Sequence, residues 1–73
     1  PIWRSPSRDK VISLCLALKL EFPETQRALT LTKNGQLYSK NKRDSILIFA
    51  FGKKLSVIDT NVLLEEMNEP VLN

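Results

Sequence analysis

Histidine is absent from the 73 residues. That excludes histidine triads, histidine general bases and histidine-ligated metals. The single cysteine, Cys15, can form neither an internal disulfide nor a thiolate metal cage. A lone thiol among apolar neighbours fits a reducing cytoplasm. Glycine occurs only at Gly35 and Gly52, so no glycine-rich phosphate loop can form. The longest unbroken apolar run, residues 46–51, is six residues long, against about 18 for a bilayer span. No basic-then-apolar leader opens the chain. These absences point to a soluble cytoplasmic protein that is not an enzyme, holds no metal or cofactor, takes no evident small-molecule ligand and has no membrane partner.

What is present suits one small globular domain. Hydrophobic residues make up 42% and charged residues 26%, the balance of an ordered chain, with disorder expected only at the ends. A fold of this size buries only about 60% of its unfolded surface, so nearly all the apolar side chains must serve one core. The charge is lopsided. Residues 1–54 hold all eleven Lys and Arg against four acids, and residues 55–73 hold four acids and no base. Such asymmetry suggests a polyanion partner for the first part, or a basic segment paired with its own acidic C-terminal helix.

Along the chain, residues 1–6 read as an extended lead-in, because Pro1 and Pro6 disfavour regular structure. A chain that opens on Pro1 reads equally as a fragment or a processed product. A first helix, about 7–20, starts at a Ser7 cap with Asp9 near its positive end. Val11, Leu14, Cys15 and Leu18 form its inner stripe, widened by Ile12, Leu16 and Leu20. A second, about 23–33, has Pro23 in its first turn and ends at Asn34-Gly35, with the glycine left-handed. Residues 45–51 are rich in β-branched and aromatic side chains, which would suit a buried strand. A helix over 41–51 is favoured by three features: the Asn41 cap with Asp44 three residues on, Gly52 followed by Lys53 and Lys54 at the far end, and the lack of any partner strand. A last helix, about 56–68, starts at Ser56, turns Thr60, Leu63, Leu64 and Met67 inward, and stops before Pro70. The expected fold is all-α, a small orthogonal bundle of four short helices spanning 7–69, with a tail over 70–73.

Residues 4–18, Arg-Ser-Pro-Ser-Arg-Asp-Lys-Val-Ile-Ser-Leu-Cys-Leu-Ala-Leu, resemble part of the Cro/lambda-repressor-like helix-turn-helix family of transcriptional regulators. In that family a basic loop follows the recognition helix, ends in Pro-Ser and enters a helix with an Ala-x-Ala-Leu finish. Pro6-Ser7 match the loop end, Val11 and Leu14 the apolar steps, and Ala17-Leu18 the finish. Cys15 stands where alanine is usual and Lys19 where glycine is common. Residues 22–26, Phe-Pro-Glu-Thr-Gln, resemble the start of the next helix without its serine cap. This covers residues 4–26, about a third of the chain. Residues 37–72 are similar, more loosely, to the helical extension of some small bacterial members, including the 41–44 entry Asn-Lys-Arg-Asp. The resemblance implies that the helix-turn-helix itself precedes residue 1. It also implies that the 4–10 segment lies along the backbone of double-stranded DNA beside the recognition helix.

The residues expected at the phosphates are Arg4, Ser5, Ser7, Arg8 and Lys10, where basic side chains adjoin the free N–H groups of a helix start. Such contacts position a protein without reading sequence. Lys33, Lys40, Lys42 and Arg43 form a secondary basic patch, for a neighbouring phosphate or a partner's acidic surface, or simply a solvated loop. Trp3 and Tyr38 are expected to pack on the core rather than stack on bases, and Cys15 to be a buried structural residue. Adjacent Glu65 and Glu66 point about 100° apart on a helix, so they do not make an acid/base pair. Their acidic stripe is solvated or complements Lys53 and Lys54. Two functions follow: the C-terminal helical part of a bacterial DNA-binding regulator, with self-association as a homodimer through residues 41–68, or an antitoxin-like protein–protein interaction module without DNA contact of its own.

Overall fold

The computed structural model describes residues 7–73. The expectations that fall on Trp3, Arg4, Ser5 and the rest of the lead-in lie outside the described residues. Those described form four helices, α1 (Arg8–Ala17), α2 (Phe22–Leu31), α3 (Lys42–Gly52) and α4 (Val57–Glu66), and no strand. The fold is the small all-α bundle read from the sequence, with residues 45–51 inside α3. Among the described residues no helix is long and apolar enough to cross a membrane.

The helix starts follow local chemistry. The side-chain oxygens of Ser7, Asn41 and Ser56 accept from the backbone N–H of Lys10, Asp44 and Asp59 at 3.3, 2.9 and 3.0 Å. α2 lacks a short polar cap. Glu21 and Glu24 serve instead as a reciprocal capping box, with Pro23 in the first turn.

The helix ends do not follow the glycines. Left-handed residues sit at Lys19, Lys33, Lys54 and Asn68, with φ of 60°, 60°, 56° and 59°, and neither Gly35 nor Gly52 has a positive φ. Gly52 is the last residue of α3. Each end closes in the same way: the N–H groups of Leu20, Asn34, Leu55 and Glu69 donate to the carbonyls of Cys15, Leu29, Ala50 and Leu64 at 2.8–3.0 Å. A left-handed lysine costs about 1 kcal/mol. The recovered backbone bonds, together with burial of the segment that follows, offset it. These closures also end α1, α2 and α4 two or three residues before the expected boundaries.

α1–α2 and α3–α4 are one unit used twice, at an offset of 35 residues. Seven positions are identical between 8–38 and 43–73: Arg8/Arg43, Asp9/Asp44, Lys19/Lys54, Leu20/Leu55, Thr25/Thr60, Leu29/Leu64 and Leu37/Leu72. The buried positions also match in pairs. Val11, Ile12, Cys15, Leu16, Thr25, Leu29 and Leu37 of the first unit answer to Ile46, Leu47, Ala50, Phe51, Thr60, Leu64 and Leu72 of the second. α1 packs on α2 and α3 on α4 within each unit, and α1 on α4 and α2 on α3 between units. This exchange is what an approximate twofold relation produces. A simple translation along a solenoid would leave each unit meeting a different face of the next.

The units set the phase of their helices. α1 buries Val11, Ile12, Cys15 and Leu16, while Leu14 and Leu18, expected inside, are each 60% exposed. Leucine recurs around most of α1, so apolar spacing alone allows both stripes, and packing on α2 and α4 selects one. Met67 is likewise outside, because α4 ends at Glu66. Tyr38, expected against the core, is exposed. Cys15 is buried as expected.

Leu47 is fully buried and Phe49, two residues on, is half exposed. Leu47→Ala is expected to cost about 3 kcal/mol and Phe49→Ala less than about 0.5 kcal/mol, measured by urea unfolding.

Candidate nucleic-acid interface

The two Arg-Asp dipeptides meet crosswise. The Arg8 guanidinium donates to both carboxylate oxygens of Asp44, at 3.0 and 2.8 Å, and to the carbonyls of Gly35 and Gln36 at 2.8 and 2.9 Å. The Arg43 guanidinium donates to both oxygens of Asp9, each at 3.0 Å, and to the carbonyls of Pro70 and Val71 at 2.9 and 3.1 Å. Each pair joins the first turn of one unit's leading helix to that of the other, and each arginine also holds the stretch that follows its own unit's second helix. The N–H of Tyr38 completes Asp44 at 3.0 Å, and that of Asn73 approaches Asp9 at 3.4 Å. Deeper, Gln26 accepts from the N–H of Leu37 and Asn61 from that of Leu72, at 2.7 and 2.8 Å. At the opposite ends of α1 and α3, the ammonium groups of Lys19 and Lys54 donate to each other's carbonyl at 2.8 and 3.3 Å, and Lys54 also pairs with Glu21.

These contacts revise the roles read from the sequence. Arg8 and Arg43, expected at a phosphate or in a solvated patch, are turned toward the fold, with four hydrogen bonds each. Planar bidentate geometry suits guanidinium and carboxylate, so the pair competes well against solvent. Ser7 is engaged as the cap of α1. Lys10 and Lys40 are exposed and unpaired among the described residues, and so is Lys33 on the left-handed turn after α2. Lys42 reaches the Met67 carbonyl at 2.8 Å and Glu69 at 3.7 Å. The crossed pairs thus bring the starts of α1 and α3 together, and with them Lys10, Lys40 and Lys42, at one end of the bundle. Arg27, exposed on α2 and not singled out by the sequence, carries a further positive charge on another face. Lys53 lies 5.8 Å from the Phe49 ring centroid, and Lys54 pairs with Glu21; neither serves the acidic stripe of α4.

Charge coupling shows in the protonation equilibria. The hydrogen bonds from Arg43 hold the Asp9 carboxyl below the usual aspartate range. Burial would raise Asp44, but the bonds from Arg8 and the Tyr38 N–H outweigh it and bring the group below its ordinary value. The Asp44 hydrogen bond in turn raises Arg8. Burial pushes the Cys15 thiol up, which leaves little thiolate.

The crossed pairs are the feature that helix periodicity misses. Their trace in the sequence is the recurrence of Arg-Asp at 8–9 and 43–44, with Lys-Leu at 19–20 and 54–55 at the same interval. Spacing within one helix cannot show that each arginine passes over its own neighbour to reach the other unit.

Removing one member of a largely buried ion pair strands the other. Arg8→Ala or Asp44→Asn is therefore expected to cost about 2–3 kcal/mol, after allowance for partial solvent screening. Because the folded-state values of Asp9 and Asp44 are depressed, their stabilisation is complete above the unfolded aspartate value. It is lost as pH falls below about 4. Urea midpoints between pH 6 and 2 should show that loss in the wild type and a shallower one in Asp44→Asn. Cys15 should react with a thiol reagent slowly in native buffer and rapidly in denaturant.

No protein-family model, curated protein or solved structure matches this chain.

Proposed function

We propose that this chain is the C-terminal helical part of a bacterial helix-turn-helix regulator of transcription, without enzymatic activity, that acts in the cytoplasm. It braces a recognition helix lying ahead of residue 1 and touches DNA phosphates around the start of α1. The observation that carries the reading is the collection of cations at one end of the bundle. Arg8 and Arg43 neutralise Asp44 and Asp9, so Lys10 and Lys40 remain there without a counter-charge, beside the capped first turn of α1. Phosphate oxygens satisfy such charges, and helix N-termini favour anions. Within the proposed contact, Lys10 and Lys40 supply charge and Ser7 holds the helix start. Arg8 acts through Asp44 as a positioning residue. Arg4 and Ser5 would extend the contact from the lead-in.

The second reading, a helical protein–protein interaction module, draws on the exposed apolar residues of α4. Ile58 and Val62 are 75% and 50% exposed one helical turn apart.

The first reading is tested by titrating duplex DNA of several unrelated sequences with the full-length protein across a range of salt. Lys10→Ala and Lys40→Ala should weaken binding to all sequences alike. Each should lower the slope of log K against log salt by about 1. Unchanged affinity and slope in both variants would overturn the phosphate contact.

A further inference from the structure

We infer that this chain associates with a second copy of itself by docking the outer face of α1 in one molecule against the outer face of α4 in the other. The inference stands apart from the nucleic-acid reading. On α1, Lys10 and Leu14 lie one helical turn apart and face away from the core. Leu18 continues the line one turn further, at a residue still in right-handed helical conformation. On α4 the outward line is Ile58, Val62 and Glu66, at the same spacing. Laid antiparallel, the two lines match position for position: Lys10 against Glu66, Leu14 against Val62, and Leu18 against Ile58.

The pairing is specific to these two faces. Positions that correspond to them in the other unit are Ser45, Phe49 and Lys53 on α3, and Pro23, Arg27 and Leu31 on α2. Set antiparallel, these place Arg27 against Phe49 and Ser45 against Leu31, with no ion pair. Two α1 faces oppose Lys10 to Leu18, and two α4 faces oppose Glu66 to Ile58, again with no opposite charges in register. Of these combinations, only α1 with α4 joins apolar to apolar and base to acid. The wider charge agrees: residues 8–38 carry five bases against three acids, and residues 43–73 carry three bases against five acids. Complementary charge of this kind sets register and partner choice as well as strength. Within one molecule the two lines do not meet, since Leu14 and Leu18 are each 60% exposed and Ile58 is 75% exposed.

Each molecule offers one face of each kind, so the contact can be blocked from either side. Leu14→Glu disables the α1 face and Val62→Glu the α4 face, and the two disabled faces repel one another. Both positions are at least half exposed, so neither change disturbs the core; matching urea midpoints verify this. In sedimentation equilibrium the wild-type chain should gain mass with concentration, and less so at high salt. Each variant alone should stay monomeric. An equimolar mixture of the two should form a one-to-one dimer and nothing larger, because only one intact face remains on each. Lys10→Glu and Glu66→Lys should each weaken association at least severalfold, and together in one chain should restore it. A wild-type chain that stays monomeric at millimolar concentration would overturn the inference and leave both faces to other proteins. A mixture that fails to pair, or a Leu14→Glu chain that still associates, would overturn it as well.

Discussion

The bundle depends on two arginine–aspartate pairs that cross between its halves. Each arginine spends its charge on a carboxylate 35 or so positions away in the chain and two further donors on carbonyls that no helix satisfies. One side chain thus fastens the opposite unit and the loose end of its own. The carbonyls after each second helix need a donor to fix their path, and carboxylates leave water only when paired. Because each arginine meets both demands at once, the pairs hold the two leading helices start to start. In that setting Asp9 and Asp44 serve the helix dipole and the partner unit together.

This arrangement bears on both functional readings. By consuming Arg8 and Arg43 internally, the fold leaves charge at its end in lysines, which are strongly hydrated point charges suited to mobile phosphate contacts rather than fixed bidentate ones. Lys10 belongs both to that end and to the outer line of α1. Nucleic acid and a second copy of the chain would therefore draw on the same ammonium. An anion at the bundle end and assembly along α1 would oppose one another through that single side chain.

Much of the fold was legible because it is written locally. Ser7, Asn41 and Ser56 act within three residues of themselves, and the helices they open are where capping chemistry puts them. The choice of helix over strand for 45–51 was likewise decided by its ends. What was not legible depends on distance. Leu14 and Leu18 belong to one apolar pattern and Ile12 and Leu16 to another, and only packing on α2 and α4 decides between them. Helix ends at Lys19 and Lys33 contradict the preference for glycine because the closing bonds, not the residue, determine the conformation. The role of Arg8 changes most. Beside a helix start it reads as an anion contact, yet Asp44, 36 residues away, claims it. At the candidate site, sequence located the cations but could not tell which were already spent.

The doubled architecture makes the molecule its own control. Wherever the halves differ, the fold already tolerates both answers in equivalent surroundings: Cys15 with Leu16 against Ala50 with Phe51 in the core, Glu21 against Ser56 as a cap, Lys33 against Asn68 at a left-handed corner. Grafting a residue from one half into the other is thus a graded set of conservative exchanges, with the recipient environment supplied by the chain itself. Positions that refuse such a transplant would mark where the twin units have diverged in purpose rather than in shape.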